Sequence, residues 1–115
     1  MKKIPVKIQK AIEQLVNNTK IVFGDRAKKI ILYGSYARGD FNNNSDIDII
    51  ILTDLNSEEM PEYQDKIWDY AYEIESKNNI IVSVLVKNLD RYNYLLEALP
   101  FYMNIQKEGV ILNEQ

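Results

Sequence analysis

The chain has 115 residues and a formal net charge of −3, and it contains neither cysteine nor histidine. A single domain over residues 1–115 is expected at this length, and it can bury a core without disulfides. Disulfides, thiolate or imidazole metal sites and imidazole-based triads are excluded. The acidic balance disfavours nucleic acid as a partner, and neither a membrane-spanning run nor a secretory leader is recognised. We therefore expect a cytoplasmic protein without a membrane partner.

Hydrophobic periodicity divides the chain into alternating helices and strands. A first helix is predicted after Pro5, because apolar side chains recur at helical spacing from Ile8 to Thr19. A later helix is expected to pack through Leu95, Leu96 and Leu99. The order of elements predicts an α/β fold with a mixed β-sheet flanked by helices. After the first helix, these elements are a strand at 29–33, a turn region at 34–45, an interior strand at 47–52, a helix within 57–79, a strand at 80–86, a helix at 88–100, one or two helical turns before residue 109 and an edge strand at 110–112.

Two aspartates stand at the start of the interior strand, in the sequence SDIDIIIL. Side chains two residues apart on a strand share a face, so Asp46 and Asp48 are expected to project together. Neighbouring carboxylates repel each other unless a cation joins them, and Mg²⁺ prefers carboxylates combined with waters and phosphate oxygens. A pair of this kind is, by itself, also typical of solvated loop ends.

The segment GSYARGD follows the first predicted strand directly and adds groups that suit phosphate. Gly34 permits a tight turn, and Ser35 offers a hydroxyl and a backbone amide. Arg38 can supply a fixed positive charge to phosphate oxygens. The segment is not a P-loop, because no Gly-Lys-Ser/Thr follows.

A calcium loop is the competing interpretation of the asparagine-rich segment. Asp40, Asn42 and Asn44 alternate as EF-hand ligands do. Positions six and twelve of that loop would be Ser45 and Ile51 instead of glycine and glutamate, so the segment is not an EF-hand.

Gly34-Ser35, ten intervening residues and then Asp46-x-Asp48 resemble the signature of the DNA polymerase β-like nucleotidyltransferase superfamily. Within it, the short chain is similar to the minimal nucleotidyltransferase (MNT) domains. The resemblance implies that Ser35 contacts the β- or γ-phosphate of a nucleoside triphosphate while Gly34 allows the close turn. It also implies that Arg38 helps to hold the triphosphate, and that Asp46 and Asp48 are the catalytic residues and the Mg²⁺ ligands.

MNT domains are often encoded beside HEPN-domain partners as antitoxins. The resemblance therefore implies a Mg²⁺-dependent adenylyltransferase that moves AMP from ATP onto a hydroxyl of a HEPN-domain partner, with a homo-oligomer also possible. Two alternatives remain open. One is a catalytically weak or inactive nucleotide-binding module that regulates its partner by contact, and the other is a transferase that modifies a small molecule such as an aminoglycoside.

The sequence departs from active members of the family in one respect. These members resemble the chain but usually carry a third carboxylate on the next core strand. Here Asn79, Ile81 and Ser83 are expected to share the relevant face of that strand, and none of them is acidic. The nearest acids, at positions 69, 73 and 75, fall on the preceding helix pattern and are expected to form a solvated helix face.

Overall fold

The computed structural model describes residues 3–115. No helix in this range is both long and apolar enough to span a membrane. Helices and strands alternate along most of the chain, and a 3₁₀ turn at Gly24–Arg26 links the first helix to the first strand. The elements are α1 (Val6–Phe23), β1 (Ala27–Tyr33), α2 (Ser35–Arg38), β2 (Ile47–Thr53), α3 (Met60–Asn78), β3 (Val82–Asn88), α4 (Leu89–Leu95), α5 (Pro100–Glu108) and β4 (Val110–Glu114).

The four strands form one mixed sheet in the order β3-β2-β1-β4. Strand β1 is antiparallel to both β2 and β4, whereas β2 is parallel to β3. β2 is therefore an interior strand, and its almost uninterrupted isoleucine run is explained by burial on both faces. The predicted mixed α/β architecture is confirmed.

Helices cover both faces of this sheet. Helices α1 and α3 pack on one face over Ile30, Ile49 and Val84, which belong to the larger core cluster. On the other face, α4 and α5 cover Ile31 and Ile50 in a smaller cluster. Residues of even number in β2 thus point towards α4 and α5, and Asp48 belongs to this set.

Three sequence-based boundaries were wrong, each for a local reason. The turn region at 34–45 contains the helical turn α2, because Gly34 begins a hydrogen-bonded turn instead of a loop. The third strand starts at Val82, because Asn79 adopts a left-handed conformation that ends α3. The helix expected at 88–100 ends early, as α4 at Leu95, and its buried anchor is Tyr92, whereas Leu99 is exposed. Helix α5 lies where one or two helical turns were predicted before residue 109.

Candidate active site

The predicted phosphate-binding segment is a single helical turn, α2, between β1 and the loop that leads to β2. Gly34 has a positive φ of 77°, which reverses the chain after β1 and is permitted for glycine. Tyr36 anchors the turn, because its buried ring stacks on Phe41 with centroids 4.8 Å apart. The first hydrogen bonds of the turn run from the amides of Arg38 and Gly39, so the preceding amides are not used inside the helix.

Gly34 is also required by the space beside it. A Cβ atom added at this position would collide with Oδ2 of Asp48. The carboxylate therefore lies directly against the backbone of the turn. This contact joins the predicted phosphate-binding turn and the predicted metal ligand into one site.

The pairing of strands places three polar side chains in a row across the sheet. Tyr33 of β1 is the partner of Asp48 in the antiparallel register, and Asp48 is the partner of Ser83 in the parallel one. Asp46 precedes this row and follows a loop that is stabilised by an internal hydrogen bond. In this bond the Asn44 amide donates to Oδ1 of Asn42 at 2.7 Å.

All five sequence-predicted site residues line one open cleft of about 470 Å³. Asp46 and Asp48 line it at the start of β2, and Ser35 and Arg38 of α2 line it beside them. Helix α5 also lines it, with Phe101, Asn104, Ile105 and Glu108. The structure thus brings together Gly34, Ser35, Arg38, Asp46 and Asp48.

Burial, and to a smaller extent the charge of Asp46, raises the pKa of Asp48 above its ordinary value, while Arg38 opposes the shift. Burial likewise raises the pKa of Tyr33 to about 12; the charge of Asp48 adds to this shift, and a hydrogen bond with Ser83 opposes it. The ionised aspartate pair is therefore short of positive charge, which favours binding of a cation.

Arg38 supplies a cation to the cleft, and two carboxylates hold it. Its Nε donates to Oδ2 of Asp40 at 3.2 Å, and its Nη1 lies 3.6 Å from Oε2 of Glu108. These contacts orient the guanidinium at the rim without neutralising the aspartate pair directly.

The donor set fits Mg²⁺ with an open coordination sphere. Two carboxylates face a cleft wide enough for waters and phosphate oxygens, the ligands that Mg²⁺ usually retains. Within residues 3–115, no group of three or more acidic side chains is close enough to hold a metal. Asp46 and Asp48 would therefore be the protein ligands.

Sequence reasoning missed the contribution of α5. Phe101, Asn104, Ile105 and Glu108 follow the i, i+3, i+4, i+7 spacing of one helix face, and this pattern was readable in the chain. What could not be read was that this face meets the cleft. The position of this face depends on where α5 packs on the sheet, and no local sequence pattern encodes that packing.

The remaining acids considered in the sequence do not line the cleft. Asp69 and Glu73 lie in a separate depression beside α1, together with Ile21. Oε2 of Glu75 accepts a hydrogen bond from the Val82 amide at 3.2 Å, so it protects the exposed edge of β3. Asn79, Ile81 and Ser83 were expected to share the strand face that carries an acid in active members. Of these three, only Ser83 lies in a strand beside Asp48.

Comparison with known proteins identifies the family of the chain. A family model described as "Nucleotidyltransferase domain" matches residues 7–112. Two similar proteins of Methanocaldococcus jannaschii are named "Putative protein adenylyltransferase MJ0604" and "Putative protein adenylyltransferase MJ0141". The first is 35% identical over 90% of this chain and 96% of its own length, and the second is 31% identical over 70% and 80%, respectively.

A solved structure described as a toxin–antitoxin with AMP-PNP superposes with a TM-score of 0.54 at 20% identity, over 90% of this chain and 73% of its own. A mutant of the toxin–antitoxin MntA-HpeT gives the same TM-score at 21% identity, over 93% of this chain and 73% of its own. At these identities the likeness concerns the fold. The family match confirms the predicted nucleotidyltransferase. The chain belongs to the nucleotidyltransferase domain family.

Proposed function

We propose that this protein transfers AMP from Mg²⁺-bound ATP to a hydroxyl group of a partner protein, and that the partner is a HEPN-type toxin. The observation that carries the proposal is the contact between Asp48 and the turn at Gly34, in a cleft that Asp46 also lines. The names of the archaeal relatives support protein adenylylation, and the descriptions of the solved neighbours support a toxin partner.

Each residue of the cleft has a separate role in the proposed AMP transfer. Ser35 donates its hydroxyl and amide to the β- or γ-phosphate, and Arg38 holds the triphosphate from the rim. Asp46 and Asp48 would hold Mg²⁺, which when bound neutralises charge on the phosphates. The acceptor oxygen bonds to the α-phosphorus, the bond from that phosphorus to the bridging oxygen breaks, and pyrophosphate leaves with the electron pair.

The acceptor side of the cleft is built differently. Beside Asp48 stands Ser83, with the hydroxyl of Tyr33 within hydrogen-bonding reach. Neither group is a strong base at neutral pH. The acceptor proton therefore passes to solvent, and the partner supplies the acceptor hydroxyl on this side of the site.

A catalytically weak regulatory module is the second candidate, and Ser83 favours it. Active members of the family usually carry an acid on this strand, whereas this chain has the hydroxyl of Ser83. Nucleotide would then bind well and turn over slowly. The protein would then control its partner through contact that depends on bound nucleotide.

Turnover separates the two candidates. The chain is incubated with Mg²⁺, ATP and the proposed HEPN-type partner. The partner is the protein from an adjacent reading frame, recognised by an R-x-x-x-x-H motif. Mass spectrometry should detect AMP added to a hydroxyl side chain, and pyrophosphate should appear in equal amount. The matched control replaces both Asp46 and Asp48 with Asn, which should abolish transfer and the Mg²⁺ dependence of ATP binding. If the double variant binds Mg·ATP as well as the parent does, the site assignment is wrong.

A further inference from the structure

We infer that the exposed face of α5 binds the nucleoside, that Phe101 stacks on the base and that Asn104 makes the site selective for adenine. The inference rests on the proposed function, because it concerns the same cleft. Ser35, Arg38 and the aspartate pair, which are proposed to bind phosphate and metal, line only part of the cleft. The remaining part is lined by α5 and Tyr33.

Phe101 presents an aromatic surface to this space. Its side chain lines the cleft and is 48% exposed, so part of the ring is accessible from the cleft. The ring is held in place from behind. It meets Tyr33 edge to face, with centroids 5.6 Å apart and planes at 85°, and it also contacts Tyr102. An aromatic ring that is fixed in position and exposed on one side is suited to stacking a nucleobase.

Asn104 lies one turn further along the same helix face. Its side chain is exposed and forms no hydrogen bond within residues 3–115. A carboxamide offers one donor group and one acceptor side by side, which pairs with the amino group and adjacent ring nitrogen of adenine. Guanine presents two acceptors at the corresponding edge and pairs with arginine or lysine instead. The residue therefore favours ATP over GTP.

The C-terminal half of α5 connects this proposed nucleoside surface to the proposed phosphate site. Ile105 is buried at 2% exposure and fixes the helix on the sheet, while Glu108 holds Arg38 at 3.6 Å. One rigid helix thus carries the base-binding ring, the base-reading amide and the carboxylate that orients the phosphate-binding arginine. Sites built on rigid elements hold their geometry better than sites on loops.

The test compares three ligands by calorimetry: Mg·ATP, Mg·GTP and Mg·tripolyphosphate, the last of which lacks a nucleoside. Phe101→Leu should weaken Mg·ATP binding about 10-fold and leave Mg·tripolyphosphate binding unchanged, whereas Phe101→Trp should restore Mg·ATP binding. Asn104→Leu should reduce the preference for ATP over GTP by about 10-fold, and Asn104→Gln should retain part of it. Met103→Leu is the matched control, because Met103 is also 48% exposed but lies outside the cleft.

Circular dichroism melting confirms that each variant is folded before binding is measured. If the parent binds all three ligands and the α5 variants change none of the affinities, or change all of them equally, the nucleoside assignment is overturned while the proposed function stands. If the parent binds neither Mg·ATP nor Mg·tripolyphosphate, both proposals fail. Selective loss of nucleotide binding with intact tripolyphosphate binding supports the assignment.

Discussion

Strand β2 has carboxylates at both ends, and their surroundings are opposite. Just beyond its end, Asp54 accepts a hydrogen bond from Nε of Arg26 and lies 3.7 Å from Nζ of Lys28. The hydrogen bond from Arg26 is the main reason that the pKa of Asp54 is lowered. At its start, burial and the neighbouring Asp46 raise the pKa of Asp48.

The two carboxylates differ in whether the chain itself supplies a counterion. Asp54 is neutralised by cations of its own chain and closes a network that ties β1 to the loop before α3. Asp48 faces another acid, and the nearest cation, Arg38, is already engaged by Asp40 and Glu108. A carboxylate pair left without its own counterion is a candidate for binding one from solution.

The largest effect is expected from adding a negative charge on β3, beside the start of β2. Ser83→Asp places a carboxylate beside Asp48 in the parallel register. If the missing acid limits proton removal from the acceptor, transfer at neutral pH should rise by about 10²-fold or more, the usual contribution of general acid–base catalysis. AMP transfer to the partner, followed across a pH series, measures this effect.

The same pH series tests the parent. Transfer by the unmodified chain should rise with pH as the acceptor hydroxyl ionises without help. Ile81→Asp is the matched control, because Ile81 precedes the strand and is exposed, so a smaller gain is expected. Fast transfer by the parent that does not change with pH would contradict this interpretation and would require the acid to come from the partner.

The raised pKa of Asp48 predicts pH-sensitive metal binding. Protonation removes a ligand, so metal affinity should fall by up to about tenfold per pH unit below that pKa. Because burial raises the pKa, the loss should begin at a higher pH than for an ordinary aspartate. Mn²⁺ titrations followed by electron paramagnetic resonance can measure it without nucleotide. Asp48→Asn should remove this dependence and Asp54→Asn should preserve it; an unchanged profile in Asp48→Asn would refute the assignment.

A smaller effect is expected at the phosphate-binding turn. Ser35→Ala removes one hydroxyl donor, and a single hydrogen bond contributes about 1 kcal/mol, or roughly fivefold in affinity. Calorimetry with Mg·ATP measures this loss. Ser35→Thr keeps the hydroxyl and serves as the control. A collapsed melting transition in Ser35→Ala would instead identify Ser35 as a structural residue.

The smallest effects concern stability, and they should have opposite signs at the two ends of β2. The lowered pKa of Asp54 means that its contribution is present at neutral pH and is lost as the pH falls through the folded-state value. Asp54→Asn should therefore cost about 0.5 kcal/mol or less, as expected for an exposed ion pair. The raised pKa of Asp48 means that ionisation costs stability at neutral pH, a cost that disappears on acidification, so Asp48→Asn should stabilise the metal-free fold. Thermal melts at pH 7 and pH 4 compare them, and destabilisation by both variants at pH 7 would contradict the contrast.

The sequence by itself predicted the class of fold, and it indicated five residues that the structure brings together in one cleft. This was possible because those residues are close together in the chain. Strand alternation puts Asp46 and Asp48 on one side, and the twelve-residue interval from Gly34 to Asp46 is a turn followed by a loop. Local geometry carries this information, so local reasoning recovers it.

Only the tertiary structure decided the rest of the cleft. The register between β2 and β3 singled out Ser83 as the neighbour of Asp48, and the packing of α5 brought Phe101, Asn104 and Glu108 to the site from more than 50 residues away in the chain. Likewise, Tyr92 anchors α4 in the smaller core cluster, which the leucine pattern did not indicate. Such contacts depend on the crossing of elements that are distant in sequence, and the periodicity of each element is compatible with many crossings.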